Sequence, residues 1–381
     1  TAFYDRNFPL LLALKGESVK ILNIVGTRPN FIKIAPIIEH MNKSTRISHS
    51  LIHTGQHYDE NLNQIFFDQL SIPSPELNLE VKSESNVQQI SQILQRFEPI
   101  LLQEKPDAVL VVGDVNSTLA CSMAATFHDI KVIHVEAGLR SFDMSMPEEI
   151  NRMLTDKISD LLFVTEKSGI KNLSEEGIAP EKIHFVGNVM VDTLLKHKKL
   201  ACDSSEILDK LKLEPGKFIL TTLHRPSNVD QKSNLKSILE SLAMLSKELP
   251  VVFPIHPRTE KKIKEFNFNP LINNLTLIPP TPYLDMIQLM ASSKLVLTDS
   301  GGIQEETTIL KIPCFTLREN TERPVTIEKG SNILVGTDQN KILNTIRASL
   351  SGEGKKSSSP ELWDGLAAQR IVVVLENWKV N

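Results

Sequence analysis

Cysteine is scarce: three residues in 381, Cys121, Cys202 and Cys314, far apart and with no CxxC pair. This excludes a disulfide framework and a thiolate zinc site, and it fits a reducing compartment, the cytoplasm. No cluster of Lys or Arg stands out and the formal charge is −4, which argues against nucleic acid as a partner while allowing small anions, since a local site needs only a few cations. Long apolar runs are missing too. Phe8-Pro-Leu-Leu-Leu-Ala-Leu14 has no clearly basic start and no small-residue cleavage site, and it is too short to span a bilayer, so residues 1–18 read as an extension ahead of the fold. No repeat of solenoid period is visible, and no metal-ligand cluster is evident in the sequence.

What is present is a rhythm. From Val19 onward short β-rich runs alternate with helix-length amphipathic stretches, the pattern of an α/β fold with parallel sheets covered by helices on both faces. The spacing predicts two sheets. The first takes strands near Val19–Val25, Ile47–His53, Ala108–Gly113, Lys131–Val135, Leu161–Thr165 and Ile183–Val186. The second takes Phe218–Leu223, Val251–Ile255, Leu275–Ile278, Leu295–Thr298, Cys314–Leu317 and Asn332–Val335. Apolar residues make up 41% of the chain, enough for two cores at this length. The polar stretch Lys196–Glu214, closed by Pro215-Gly216, reads as a helix end and a hinge-bearing linker between domains at 19–200 and 201–360. Gly352–Pro360, rich in Lys and Ser, reads as a flexible connection to a last helix. Ligands of open α/β sheets bind outside the carboxyl ends of the strands, so two facing domains would enclose a cleft lined by residues at strand ends.

The most informative of these ends is Thr298-Asp299-Ser300-Gly301-Gly302-Ile303-Gln304-Glu305-Glu306. A strand, a Ser-Gly-Gly turn and a helix opening make an anion site, because free N–H groups and the positive helix end favour phosphate and the glycines let it come close. A carboxylate facing that phosphate would repel it. Glu305 is therefore read as a first-turn acid complementing the dipole, and Glu306 as a bidentate acceptor for a sugar diol such as ribose. At the first strand's end the sequence is Gly26-Thr27-Arg28-Pro29-Asn30 rather than GxGxxG, which weakens a dinucleotide reading but offers Arg28 to a phosphate. Lys33, alone on the following helix, reads as a solvated residue.

Three carboxylates sit at or just beyond strand ends: Asp114, Glu136 and Glu148. Each alone is a candidate helix cap, Asp114 most of all. Converging on one crevice they would raise one another's pKa and handle protons near neutrality. His134 reads as a satisfied core residue; a turn beginning at Glu136 would separate the faces of the two side chains. In the second half, His224-Arg225-Pro226 and His256-Pro257-Arg258 each follow a strand. His224 is read as a ligand contact, and His256 equally as a loop support. Arg323 is either a leaving-phosphate contact or a surface ion pair.

The motifs GTRPNFIK, HTGQH, GDVNSTLA, HVEAGLRS, MPEEINR, TLHRP, TDSGGIQEE and RENTERP, in that order, resemble those of the non-hydrolysing UDP-N-acetylglucosamine 2-epimerases. The resemblance runs from about Val19 to beyond Val335. It implies a glycosyltransferase-B architecture of two Rossmann-like domains facing across a cleft, with a C-terminal helix, 361–378, packing back on the first domain. It also implies catalytic roles for Asp114, Glu136, Glu148 and His224, and UDP-sugar binding by Arg28, Lys33, Ser300, Gly301, Gly302, Glu306 and Arg323. No cofactor or metal is implied, and a homodimer is. Gln56-His57 is followed by Tyr58 where some relatives carry Arg in an allosteric site, so activation by substrate is not expected on this basis. A hydrolysing epimerase, a 2,3-diacetamido sugar as substrate, a UDP-sugar glycosyltransferase and a non-catalytic nucleotide-sugar binder are the alternatives.

Overall fold

The computed structural model describes residues 18–56, 74–82 and 85–379; the run Phe8–Leu14, His57 and Tyr58 lie outside them. Among the described residues, thirteen strands form two sheets. The first holds β1 (Val19–Val25), β2 (Ile47–His53), β3 (Leu77–Asn78), β4 (Ala108–Val112), β5 (Lys131–Ala137), β6 (Leu161–Val164) and β7 (Ile183–Phe185), in the order β3-β2-β1-β4-β5-β6-β7. The second holds β8 (Ile219–Thr222), β9 (Val251–Pro254), β10 (Thr276–Ile278), β11 (Leu295–Thr298), β12 (Cys314–Thr316) and β13 (Asn332–Leu334), in the order β10-β9-β8-β11-β12-β13. Every pairing is parallel. In both sheets the order reverses beside the first strand, which opens a crevice at the carboxyl ends of β1/β4 and β8/β11.

The strands are continuous apolar runs because both faces are covered. Along β4, Ala108, Leu110 and Val112 enter one core while Val109 and Val111 enter another. In β8, β9 and β11, Leu220, Val252 and Val296 join the core that also holds Ile21, Leu110 and Ile133 of the first sheet. One apolar body thus runs from sheet to sheet, with Met190 and Leu194 of helix Val189–Ser204 inside it. Apolar surface buried in this shared core stabilises the contact between the halves by roughly 25 cal/mol per Å².

β1, β2 and β11 match the sequence reading and the other expected strands differ from it by one or two residues at an end, while β3 adds an edge strand that its two residues were too short to signal. The stretch after Lys196 remains helical to Ser204, and a short helix, Ile207–Leu211, follows. The last helix is Ala367–Asn377 rather than starting at 361. Leu362 and Gly365 take positive φ, 58° and 83°, which no helix accommodates, and the turn buries Trp363 with its indole N–H donating to Thr165 O at 2.9 Å. The helix packs on helix Arg28–Met41, and the Asp192 carboxylate accepts from Ala367 N and Ala368 N at its start, 3.2 and 2.7 Å. No helix among the described residues is long and apolar enough to cross a membrane.

Candidate functional site

The second sheet contributes a pinned strand end. Thr222 and Thr298 are paired in register, and their hydroxyls share a 2.7 Å hydrogen bond. Next comes Asp299, fully buried, which accepts from Arg225 N at 2.8 Å, His224 N at 3.0 Å and Asn228 Nδ2 at 3.2 Å. Its Oδ1 also lies 3.0 Å from His224 Nδ1. Burial alone would raise its pKa; the His224 hydrogen bond and the backbone donors outweigh that and hold it below the usual carboxylate value. Ser300 then caps helix Gly301–Leu310 in extended conformation. A Cβ at Gly301 would stand 2.5 Å from Arg323 Nη1 and 2.8 Å from Glu322 Oε1, so glycine is what lets the guanidinium reach the turn.

Arg323 is buried, not a surface residue. It forms ion pairs with Glu136 at 2.8 Å and Glu305 at 2.7 Å, and a third, shorter one with Glu322. The first of these joins the two sheets. Glu305 and Glu306 fall beyond the first turn of their helix, so the dipole reading of Glu305 gives way to a buried partnership with Arg323 and with Asn188 Nδ2, 2.9 Å.

Glu136, the penultimate residue of β5, takes a φ of 75°, where the register with β6 shifts between Val135 and Ala137. The kink turns the carboxylate into the cleft, where Lys33 Nζ meets it at 2.5 Å. Lys33 is buried, which corrects the solvated reading. The kink separates Glu136 from His134, whose Nδ1 and Nε2 lie 2.7 Å from Asp156 Oδ1 and 2.8 Å from Gly113 O, a satisfied core position.

Asp114 does not cap the next helix; Val115 occupies that position. Its carboxylate pairs with Arg152 at 3.0 Å, and Arg152 pairs on its other side with Glu149. Lys33 Nζ stands 3.0 Å from the Cβ position of neighbouring Gly113. Burial raises the Asp114 pKa, but Arg152, then Lys33 and Arg323, more than reverse this. Mutual raising by the three carboxylates is therefore not the rule at Asp114. Glu148 lies at the rim, 38% exposed, 3.8 Å from Arg225, which reaches Glu322 at 3.9 Å. Asp114 and Glu136 thus share the cations Lys33 and Arg323, and Glu148 connects to them through Arg225 and Glu322.

The carboxyls that are raised sit elsewhere. Burial pushes Glu306 to about 8, with Tyr283 OH donating to it at 3.0 Å. Burial pushes Glu166 to about 7, and it raises Glu305 as well. His224 is 39% exposed and stacks near His256 at a ring distance of 5.9 Å. His256 caps its own helix by accepting from Arg258 N at 3.2 Å. Its pKa is lowered, first by burial and then by charges that include His224, Arg258 and Arg28. Arg28, half-buried at the start of helix Arg28–Met41, therefore acts across the cleft on the second sheet's loops.

The sequence reading missed Arg152, Glu322 and Asp299. Arg152 and Glu149 form an i, i+3 pair that could have been read on an amphipathic helix. Lys33 had a stronger signal, since Asn30 to Ile38 is buried all round and a cation there requires an anion.

Residues 39–376 match the family described as UDP-N-acetylglucosamine 2-epimerase. The chain belongs to this family. A UDP-N-acetylglucosamine 2-epimerase of Methanocaldococcus jannaschii is 44% identical over 94% of this chain and 99% of its own length. The crystal structure of the M. jannaschii enzyme in complex with UDP-GlcNAc and UDP superposes with a TM-score of 0.88 at 43% identity, covering 94% of this chain and 100% of that one. A UDP-2,3-diacetamido-2,3-dideoxy-D-glucuronate 2-epimerase of Pseudomonas aeruginosa is 41% identical over 94% of the chain and 99% of its own length. The two parallel sheets are those of the glycosyltransferase-B architecture that the family shares, and the family is one of isomerases.

Proposed function

We propose that this chain interconverts UDP-N-acetylglucosamine and UDP-N-acetylmannosamine by elimination of UDP and its readdition. The observation that supports the reading is the ion pair between Glu136 of the first sheet and Arg323 of the second, 2.8 Å, a carboxylate suited to proton transfer beside a cation suited to a phosphate. The carbon bearing the N-acetyl group has no adjacent carbonyl, so removal of its proton needs a simultaneous outlet for charge. As one carboxylate among Asp114, Glu136 and Glu148 takes that proton, the anomeric C–O bond breaks. Its electron pair leaves with the diphosphate, giving 2-acetamidoglucal and UDP. The helix opening at Ser300–Gly302, with Arg28, Arg323 and His224, stabilises the departing charge, Lys33 stands beside Glu136, and Glu306 takes the ribose. Readdition with protonation from the opposite face gives the manno epimer.

The diphosphate brings negative charge to an arginine that already bears three carboxylates, so binding must loosen one of those pairs. Glu305, whose burial already favours its neutral form, is the group to yield. Domains at 19–200, with the C-terminal helix, and 201–360 act as the two walls of the cleft. A homodimer in the cytoplasm is part of the same proposal. A second reading, the 2-epimerisation of a UDP-2,3-diacetamido sugar, is supported by the P. aeruginosa relative.

Purified protein in deuterated water with UDP-N-acetylglucosamine, followed by proton NMR, tests the reading. Deuterium at the epimerised carbon together with UDP-N-acetylmannosamine is expected. Free N-acetylmannosamine would mean hydrolysis, and exchange seen only with the diacetamido sugar would favour the second reading.

A further inference from the structure

We propose that Asp299 is a positioning residue for His224: its buried carboxylate keeps a proton on His224 Nδ1 and presents Nε2 to the bridging oxygen of the leaving diphosphate. The inference rests on the epimerase reading for the identity of that oxygen, but the Asp299–His224 link stands on geometry alone. Asp299 is fully buried, and four donors converge on it. A carboxylate accepts and does not donate, so at 3.0 Å the ring nitrogen facing it must carry the hydrogen. The backbone bonds from His224 N and Arg225 N hold the loop against the same carboxylate that Nδ1 faces. Nε2 is left for the cleft side, where the ring is 39% exposed.

The strand end that carries Asp299 also holds the glycine turn, since Ser300 N donates to the Thr298 hydroxyl at 2.9 Å. The His224 loop and the helix opening are thus tied to the same two residues, Thr298 and Asp299. When the anomeric bond breaks, its electron pair stays on the phosphate oxygen. A proton on His224 Nε2 is shared with that oxygen while Asp299 balances the imidazolium. On readdition the oxygen attacks the anomeric carbon and the proton returns to Nε2. The charged and titratable groups around the ring are Asp299, 3.0 Å from Nδ1, and His256, whose own ring lies 5.9 Å away and feels the charges of Arg258 and Arg28.

The test combines nitrogen-15 histidine spectra with kinetics. In the wild-type protein the His224 signals, assigned by difference from His224→Gln, are expected to show Nδ1 protonated and Nε2 bare in the neutral ring; the opposite tautomer overturns the proposal. In Asp299→Asn the charge beside the ring is lost, so the base limb of kcat should move to lower pH. Asn228→Ala removes one donor to Asp299 without touching the ring and should leave that limb in place. In a double-mutant cycle, Asp299→Asn should lose most of its effect on kcat in the His224→Gln background, whereas additive losses and an unmoved limb would show a merely structural role. Absence of turnover in the wild-type protein would sink the epimerase reading alone, with the spectra still deciding the tautomer.

Discussion

Replacing Glu306 by Gln should change how stability depends on pH, and the structure gives the size. The side chain is 5% exposed in helix Gly301–Leu310. Burial pushes its carboxyl from the usual 4.5 to about 8. The folded-state value lies above the unfolded one, so the folded protein holds a proton that the unfolded chain releases. The associated stability is fully present below about pH 4.5 and is lost as pH rises through about 8. Between pH 5 and pH 9 the loss amounts to about 4 kcal/mol, at ~1.4 kcal/mol per pKa unit. Gln has the shape of the protonated acid and does not titrate. With an unfolding entropy of roughly 0.8 kcal/mol/K for a chain of this length, the wild-type midpoint should fall about 5 °C further than that of the variant across the range. Calorimetric melts of both proteins at pH 5, 7 and 9 measure this. Parallel midpoints would refute a neutral buried Glu306.

Asp114→Asn should lower turnover by about 10²–10⁴-fold while UDP affinity, measured by calorimetry, stays largely intact; unchanged turnover would remove Asp114 from acid–base work. Gly301→Ala places a methyl 2.5 Å from Arg323 Nη1, and the displaced guanidinium should weaken UDP binding about tenfold, or ~1.4 kcal/mol. An unchanged Kd would show that Arg323 does not hold the nucleotide. Trp363→Ala empties a buried indole site and breaks its hydrogen bond to Thr165 O, for a loss of about 3–5 kcal/mol seen in denaturant melts.

Much of the fold was legible because parallel strands buried on both faces leave apolar runs, and these fixed twelve strands to within a residue or two. β3 escaped because pairing at Ile52–Leu77 and His53–Asn78 is a tertiary event with no periodicity behind it. The candidate site was legible as a set of strand-end residues, and the structure brings Glu136, Arg323, Gly301 and Lys33 into direct or near contact. Charge pairing between distant elements was not legible. Lys33 and Arg323 carry no mark in the sequence of the carboxylates that receive them from distant strands, and Glu305 was assigned to a dipole it lies too far along the helix to feel. The proton affinities were no more legible: Asp114 is lowered because Arg152 from another helix outweighs its burial, whereas burial raises Glu306.

Glu136 also sets a constraint on how this protein can change over generations. Its φ of 75° is a conformation glycine or asparagine adopts readily and a longer side chain resists, by roughly 1 kcal/mol. Selection for robustness alone would drift away from glutamate here, while selection for turnover would hold it. The drift is blocked by a neighbour, because removing the carboxylate strands buried Lys33. A variant library randomised at positions 33 and 136 together should therefore split into two populations under the two pressures, charged pairs where activity is selected and apolar residues beside glycine or asparagine where only folding is. The same library at position 136 alone should yield little but the starting residue.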